Sequence, residues 1–439
     1  DVEKIPYFNN YLLINYKLCN DNYYYYDEGS KLWNLEKNTN SLIYRLAHTI
    51  KTILEPERQY ILKLLYKLRS DLEVKILIQT IKADEKKELD EIQTAIKDFL
   101  KFIEKEYKNY QTKKFTTAIL PFINHKITDN EFIDKLNKTP HLLPLIDNNI
   151  NLKTGEVNER IKENYFTECL NFYTFNVLES NDPFYDIVNK FYLDISTNNE
   201  NKKNYLKRLM GACLSGNIDA RSFYIFFGNG ANGKSAILEI MNNVMGSYFC
   251  KAVDSSIFLN RGKKQTGSAS PEMVALDYGN RVAILSETAE GDQLNEVLLK
   301  NITGGDNIAY RGLYGDTKEF KSASKLILLT NNKPIFKLST SMIDRLKFIE
   351  FKSRFVNKLT YEKLLDKTNH YISDPELIED LKTNYKNSVL KWMIDGAVEY
   401  YKTCNLNIPD DPEMMQENAN YLKDLDSVLN WMGSTCELN

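Results

Sequence analysis

Residues 222–238 read SFYIFFGNGANGKSAIL, a glycine-rich loop between two apolar runs. An apolar run, Phe223–Phe227, stops at Gly228 and is followed by a complete G-x-x-x-x-G-K-[ST] motif that ends at Ser235. The apolar run predicts a strand and residues 236–244 predict a helix, which are the flanks that this motif needs. The stretch therefore predicts an α/β core with a phosphate-binding loop between a strand and a helix.

The residue types in the loop suit a triphosphate. Glycines let successive backbone N–H groups turn toward a phosphate, where a Cβ would clash. The following helix points its positive end at the same anion, Lys234 adds a point charge, and the Ser235 hydroxyl can bind Mg²⁺. We therefore predict ATP or another nucleoside triphosphate, with Mg²⁺, as the cofactors. The predicted binding residues are Gly228, Asn229, Gly230, Ala231, Asn232, Gly233, Lys234 and Ser235.

The composition limits the other function classes. The chain has 439 residues, 43% hydrophobic and 27% charged, which allows two or three domains. Its net charge of −3 gives no chain-wide attraction for nucleic acid, so DNA binding would need a local basic surface. The 6 cysteines lack the spacing of a zinc site or a disulfide framework. No apolar run approaches the ~18 residues of a membrane span, so we expect no membrane partner.

Four segments are predicted in chain order. The first, residues 1–45, contains a hairpin whose four tyrosines (23–26) are more typical of core packing than of a base-stacking platform. The others are a mainly helical domain with a small β element (46–180), the nucleotide-binding core (181–355) and a C-terminal helical region (356–439). Prolines 121, 140 and 144 predict breaks in the helical pattern, and residues 261–270 predict a mobile basic loop.

A second predicted strand, residues 281–285, ends in Ser286 and Glu287. A carboxylate at the carboxyl end of a parallel strand beside the phosphate loop can align an attacking water and hold Mg²⁺. We interpret Glu287 as this base, and the alternative is a helix-capping acid. Because Ser286 stands where a second acid is usual, metal binding falls on Ser235, the nucleotide, waters and Glu287, with Ser286 as a candidate outer ligand.

A third predicted strand, residues 325–329, precedes Asn331. An asparagine amide at this edge can orient the water and contact the γ-phosphate, and Asn332 remains an alternative to Asn331. Further on, Arg345 precedes another strand-like run. Its guanidinium suits the charge that develops on a transferring phosphoryl group and can come from a neighbouring subunit. An ordinary surface salt bridge is the alternative for Arg345.

Between these strands, residues 308–325 predict a hairpin with its turn at Gly315 and Asp316. The segment carries four basic and two acidic residues, a local excess of positive charge in a chain that is negative overall. Such a hairpin can bind a phosphate backbone, although a merely solvated hairpin is the alternative. The candidate DNA-binding residues are Arg311, Lys318 and Lys321.

Taken in order, GNGANGKS, RVAILSE, LKNITGGD-x₄-R-x-LY and LILLTNN followed by DR resemble the motifs of superfamily 3 helicases, and in detail the poxvirus-type primase-helicase. NNINLKTGEVNERIKENYFT resembles the collar segment of that family. NSVLKWMIDGAVEYY and DDPEMMQENANYLKDLDSVLNWM resemble its C-terminal helices. Because the chain starts at Asp1 and shows no Asp-x-Asp primase centre, we interpret it as a fragment that follows the primase.

The resemblance implies an AAA+-like P-loop NTPase with a helical collar in front and a helical region behind. It implies a ring, normally a homohexamer, that hydrolyses ATP between subunits and moves on single-stranded or forked DNA. Lys234, Glu287, Asn331 and a trans-acting Arg345 would be catalytic, and Lys318 would contact DNA. Implied partners are viral replication proteins such as a polymerase or its processivity factor, in the host cytoplasm. The alternative is a protein-remodelling or scaffold ring that does not unwind DNA.

Overall fold

The computed structural model describes residues 6–78, 83–179, 182–217, 221–260, 273, 276, 279–285, 288–289, 291–311, 317–336, 339–403, 406–407 and 411–425. The chain divides into two compact units, Asp1–Leu136 and Asn137–Asn439. Within the described residues, no helix is both long enough and apolar enough to cross a membrane.

The first unit combines a small antiparallel sheet with long helices. The predicted hairpin is present as β2 and β3, and its tyrosines pack: the Tyr26 ring lies 5.5 Å from Trp33 and the Tyr24 ring 5.1 Å from Phe132. The elements of this unit are α1 (Pro6–Asn15), β1 (Tyr16–Cys19), β2 (Asn22–Asp27), β3 (Leu32–Leu35), α2 (Thr39–Ile78), α3 (Ala83–Tyr110), α4 (Lys113–Ile127) and α5 (Phe132–Lys135).

The prediction of a break at Pro121 is wrong, because Pro121 lies inside α4. The helix continues since its other face is anchored: Ile119, Ile123 and Ile127 are buried. The free energy gained by burying these three side chains exceeds the cost of the one backbone hydrogen bond that proline removes.

The second unit is built on a five-stranded parallel sheet with the order β13-β7-β12-β9-β8. Its strands are β7 (Phe223–Phe227), β8 (Cys250–Val253), β9 (Val282–Leu285), β12 (Lys325–Thr330) and β13 (Leu346–Glu350). Alternate residues of β7 serve different cores, since Tyr224 and Phe226 belong to one buried cluster and Phe223 and Ile225 to another. Burial on both faces explains why these strands are continuous apolar runs in the sequence.

Helices and short strands surround this sheet. Those that precede the phosphate loop are β4 (Leu142–Pro144), β5 (Asn149–Asn151), β6 (Val157–Asn158), α6 (Thr174–Val177), α7 (Tyr185–Ile195) and α8 (Glu200–Cys213). Those within the core are α9 (Lys234–Phe249), α10 (Glu296–Gly304), β10 (Ile308–Arg311), β11 (Thr317–Phe320) and α11 (Thr340–Ile343). The last are β14 (Arg354–Val356), α12 (Lys358–Lys363), β15 (His370–Ile372), α13 (Pro375–Lys382), α14 (Lys386–Thr403) and α15 (Pro412–Leu425).

The small β element that we assigned to the helical domain falls in the second unit. Leu143, Ile150 and Leu152 of this element are buried in the same cluster as Tyr205 of α8 and Trp392 of α14. The predicted C-terminal helical region contains α13, α14 and α15, and it also contains β15, which pairs in parallel with β14. The functional division into four segments remains a prediction.

Two features hold the C-terminal helices in place. Helices α8 and α14 cross at glycines, so closely that a Cβ on Gly396 would lie 2.1 Å from the main-chain O of Lys207. Helix α15 is anchored by ion pairs of Glu417 with Lys202 (3.6 Å) and Lys352 (2.9 Å). Burial lowers the pKa of Lys202, and its ammonium also donates to the main-chain O of Glu350, at the end of β13.

Candidate nucleotide-binding site

The predicted phosphate loop leaves the carboxyl end of β7 and enters α9, as the motif requires. Two of its glycines are needed for space. A Cβ on Gly228 would lie 2.1 Å from Asn232 Nδ2 and 2.6 Å from the main-chain O of Phe351. Gly233 has a φ of +86°, and a Cβ there would lie 2.8 Å from Ile195 Cγ1. The loop is thus packed from behind, which leaves its other side for a ligand.

Lys234 links the loop to the end of the third strand. Its ammonium donates to the main-chain O of Gly228 at 2.5 Å and to Asn331 Oδ1 at 2.9 Å, and the residue is only 4% exposed. Strand β12 pairs directly with β7, so Asn331 follows the neighbouring strand end. The predicted lysine and the predicted phosphate sensor therefore lie together at one edge of the sheet.

Asn331 and Asn332, which the sequence left as alternatives, point to different partners. Asn331 is exposed and accepts from Lys234. Asn332 is half-buried, and its Nδ2 donates to the main-chain O of Thr288 at 3.1 Å. Only Asn331 therefore contacts the phosphate loop.

A cavity of about 820 Å³ opens beside the loop. It is within the usual volume range of small-molecule sites, ~300–1,000 Å³. Residues 230–236 and Asn331 form its polar end. Its more apolar end comes from other elements: Ile187 and Phe191 of α7, Phe355 of β14, Ile372 of β15, and Leu377 and Ile378 of α13. Charged side chains of the same region, Asp186, Lys190, Asp194 and Asp374, also line the cavity.

The sequence analysis missed the residues of this apolar end. They lie on both sides of the motif in the chain, and only the fold brings them to the loop. The main-chain N of Phe355 donates to the main-chain O of Ala231 at 2.7 Å, which fixes β14 against the loop. No local sequence pattern identifies Phe355 as a cavity residue, because a single apolar residue in the sequence is equally consistent with a place in the hydrophobic core.

Arg345 lies at the opposite edge of the sheet. Leu346 pairs with Phe223, the first residue of β7, so Arg345 is level with Ser222, six residues before Gly228. At ~3.3 Å per strand residue this is roughly 20 Å from the start of the loop, which is beyond the reach of one side chain. Arg345 instead donates from Nε to Thr303 Oγ1 at 3.2 Å and from a terminal nitrogen to the main-chain O of Ser341 at 2.6 Å.

The predicted basic hairpin is present as the antiparallel pair β10 and β11, which carry Arg311 and Lys318. Lys321 is exposed just after β11. Lys325, which was counted in the local positive charge, is buried and donates to the main-chain O of Ser215. The charge excess is therefore smaller than predicted, with three basic residues against two acidic ones. The turn, residues 312–316, lies outside the described residues.

The structure leaves other predicted residues undescribed. Ser286 and Glu287, and the basic loop 261–270, lie outside the described residues. Strand β9 ends directly before Ser286, and β12 separates it from β7. Among the described residues, no group of three or more His, Cys, Asp or Glu side chains could hold a metal ion. The Ser235 hydroxyl, at the start of α9, remains the described candidate for a Mg²⁺ ligand.

No family model matches the chain. It is 28% identical over 326 residues to the "Putative helicase L207/L206" of Acanthamoeba polyphaga mimivirus, covering 69% of this chain and 33% of that protein. It is 24% identical over 233 residues to the "Putative helicase 121R" of Invertebrate iridescent virus 3, covering 52% and 24% of the two chains. It thus spans about a third or less of the length of these relatives.

Among solved structures, the apo C-terminal region of NrS-1 is similar with a TM-score of 0.39 and 14% identity, over 57% of this chain and 56% of that one. The sequence comparisons support a relationship to viral proteins that are named as helicases.

Proposed function

We propose that this chain is the motor part of a superfamily 3 helicase of the poxvirus primase-helicase type, which hydrolyses ATP to move on single-stranded DNA. The observation that carries the proposal is the contact between Lys234 Nζ and Asn331 Oδ1, 2.9 Å apart, in the lining of the cavity beside a complete phosphate loop. The names of the viral relatives support the helicase function.

Different residues of the site suit the phosphates, the base and the Mg²⁺ ion of a nucleotide. The loop N–H groups and the start of α9 bind phosphates, and Lys234 exchanges its Gly228 and Asn331 contacts for phosphate oxygens. The apolar end of the cavity fits a base. Ser235 fits Mg²⁺, a cation that prefers oxygen ligands and the phosphates of its substrate. When bound, Mg²⁺ neutralises charge on the β- and γ-phosphates.

The distance of Arg345 from the loop of its own chain supports a head-to-tail assembly. A residue at the far edge of the sheet can reach a phosphate only on a neighbour, and repeated head-to-tail contacts form a ring when the rotation between subunits closes. We therefore propose a homohexamer in which Arg345 completes the site of the next subunit and Glu287 activates the water. The hairpin with Arg311, Lys318 and Lys321 would face DNA. We propose the replication sites in the host cytoplasm as its location and a viral polymerase or processivity factor as its partner.

The proposal is tested by ATP hydrolysis and by unwinding of forked DNA. Lys234→Ala should lower the hydrolysis rate at least about 100-fold, because the lysine contacts charge that develops in the transition state. A matched control is Lys138→Ala, an exposed lysine outside the cavity, which should hydrolyse ATP at the wild-type rate. Full hydrolysis by Lys234→Ala contradicts the assignment of the site. Hydrolysis without unwinding favours the alternative, a protein-remodelling or scaffold ring.

A further inference from the structure

Asn332 takes part in three hydrogen bonds with Thr330 and Thr288, and a fourth contact joins the two threonines to each other. Its Nδ2 donates to the main-chain O of Thr288 at 3.1 Å, and its main-chain N donates to Thr330 Oγ1 at 2.9 Å. The Thr330 hydroxyl donates to the main-chain O of Asn332 at 2.6 Å and lies 3.1 Å from Thr288 Oγ1. Thr330 ends β12, and Thr288 follows β9 by three residues. The contacts therefore fasten the end of β12 to Thr288.

The two threonines of this cluster are shielded from water, and Asn332 is half-buried. Thr330 is 0% exposed and Thr288 is 3% exposed. Water cannot readily replace a bond that is lost between such groups, so removing the Asn332 amide leaves the main-chain O of Thr288 without this donor. The position of the end of β12 relative to Thr288 therefore depends on the Asn332 side chain. Loss of this hydrogen bond should disturb it more than loss of a hydrogen bond on the surface.

The cluster controls the residue beside it. Asn331 lies between Thr330 and Asn332, and its main chain is fixed on both sides by the bonds of these neighbours. Its side chain points the other way and accepts from Lys234 at 2.9 Å. A shift of residues 330–332 would move Asn331 Oδ1 away from the place where the γ-phosphate is proposed to bind.

We propose that Asn332 is a positioning residue for nucleotide hydrolysis, which holds Asn331 toward Lys234 by tying the end of β12 to Thr288. The inference rests on the proposed hydrolysis at this site. Asn332 is not among the lining residues of the cavity and acts through Asn331. The two adjacent asparagines thus have separate tasks, one toward the ligand and one toward the neighbouring strand end.

The first test compares kcat with nucleotide affinity in Asn332→Ala. We expect kcat to fall roughly 10- to 100-fold, since a misplacement of about 1 Å in a catalytic group has an effect of this order. The Kd of a fluorescent ATP analogue should change less than about 3-fold, because the loop and cavity are intact. Asn260→Ala is the matched control: its Nδ2 also donates to a main-chain carbonyl, that of Leu294 at 3.3 Å, and its kcat should equal the wild-type value.

The second test asks whether Asn332 acts through Asn331. The double variant Asn331→Ala with Asn332→Ala should have the kcat of Asn331→Ala alone, because residues that act as a unit are not additive. Asn332→Asp keeps the size of the side chain but places an oxygen against the Thr288 carbonyl. Its kcat relative to the wild type should rise as the pH is lowered from about 8 to about 4, where an aspartyl carboxyl of ordinary pKa, ~3.9, becomes protonated and restores a donor.

An unchanged kcat in Asn332→Ala, or losses that multiply in the double variant, would overturn the positioning role. If Asn332→Ala does not fold, Asn332→Asp decides the question: a kcat ratio that does not rise on acidification overturns the inference. These outcomes leave the proposed function standing as long as the wild-type chain hydrolyses ATP. A wild-type chain without any hydrolysis would overturn both proposals together.

Discussion

Arg345 provides the strongest test of the proposed ring, because its own chain cannot use it. It lies roughly 20 Å along the sheet from the start of the phosphate loop. If it serves a neighbour, Arg345→Ala should lower ATP hydrolysis about 1,000-fold or more, as expected for an arginine that stabilises phosphoryl transfer in trans. Lys234→Ala should be inactive for the opposite reason, since it supplies Arg345 but has no competent loop.

Mixing the two inactive variants should restore activity. In a randomly mixed head-to-tail ring, half of the loops are intact, and half of those face a subunit that retains Arg345. Roughly one quarter of the sites should therefore be complete, whatever the number of subunits in the ring. The assay is steady-state ATP hydrolysis after the variants are dissociated and reassembled together, with mixed rings verified by native mass spectrometry of differently tagged chains.

The control separates catalysis from folding. Arg345 donates to Thr303 Oγ1 at 3.2 Å, so Thr303→Val removes this contact but keeps the guanidinium. This variant should hydrolyse ATP at nearly the wild-type rate. Two results would refute a role of Arg345 in the neighbouring site. The first is that Arg345→Ala hydrolyses ATP by itself, and the second is that verified mixed rings show no ATP hydrolysis.

Three further predictions follow from the same geometry. Phe355→Ala should raise the KM for ATP about 10-fold with little change in kcat, because an aromatic wall of the cavity contributes to uniform binding; an unchanged KM in hydrolysis assays would contradict this place for the base. Lys318→Ala should lower the slope of log affinity for single-stranded DNA against log salt by about 0.7, measured by fluorescence anisotropy, and exposed Lys367→Ala should not. Gly396→Ala should lower the free energy of unfolding by about 3 kcal/mol in denaturant titrations, because its Cβ would overlap the main chain of Lys207. The control Gly29→Ala should leave the free energy of unfolding nearly unchanged, because its Cβ meets no atom closer than 3.8 Å.

The amino-acid sequence alone predicted the central strand and the loop of the candidate nucleotide-binding site. A glycine-rich loop between an apolar run and a helix is a local pattern, and the structure has β7 over residues 223–227 as the pattern predicted. The later strands, β9 and β12, were also predictable, because strands buried on both faces are continuous apolar runs. The hairpin of β10 and β11 followed from its turn chemistry in the same way.

Other features depend on contacts between distant residues, which no local pattern contains. The tertiary structure chose Asn331 over Asn332 as the partner of Lys234, because a shift of one residue sends a side chain to a different neighbour. It buried Lys325, so that one predicted surface charge became a hydrogen bond to Ser215. It also brought Phe355 to the phosphate loop and placed Arg345 at the far edge of the sheet. These results depend on which strands lie side by side, and strand order is set by packing between residues that are distant in the chain.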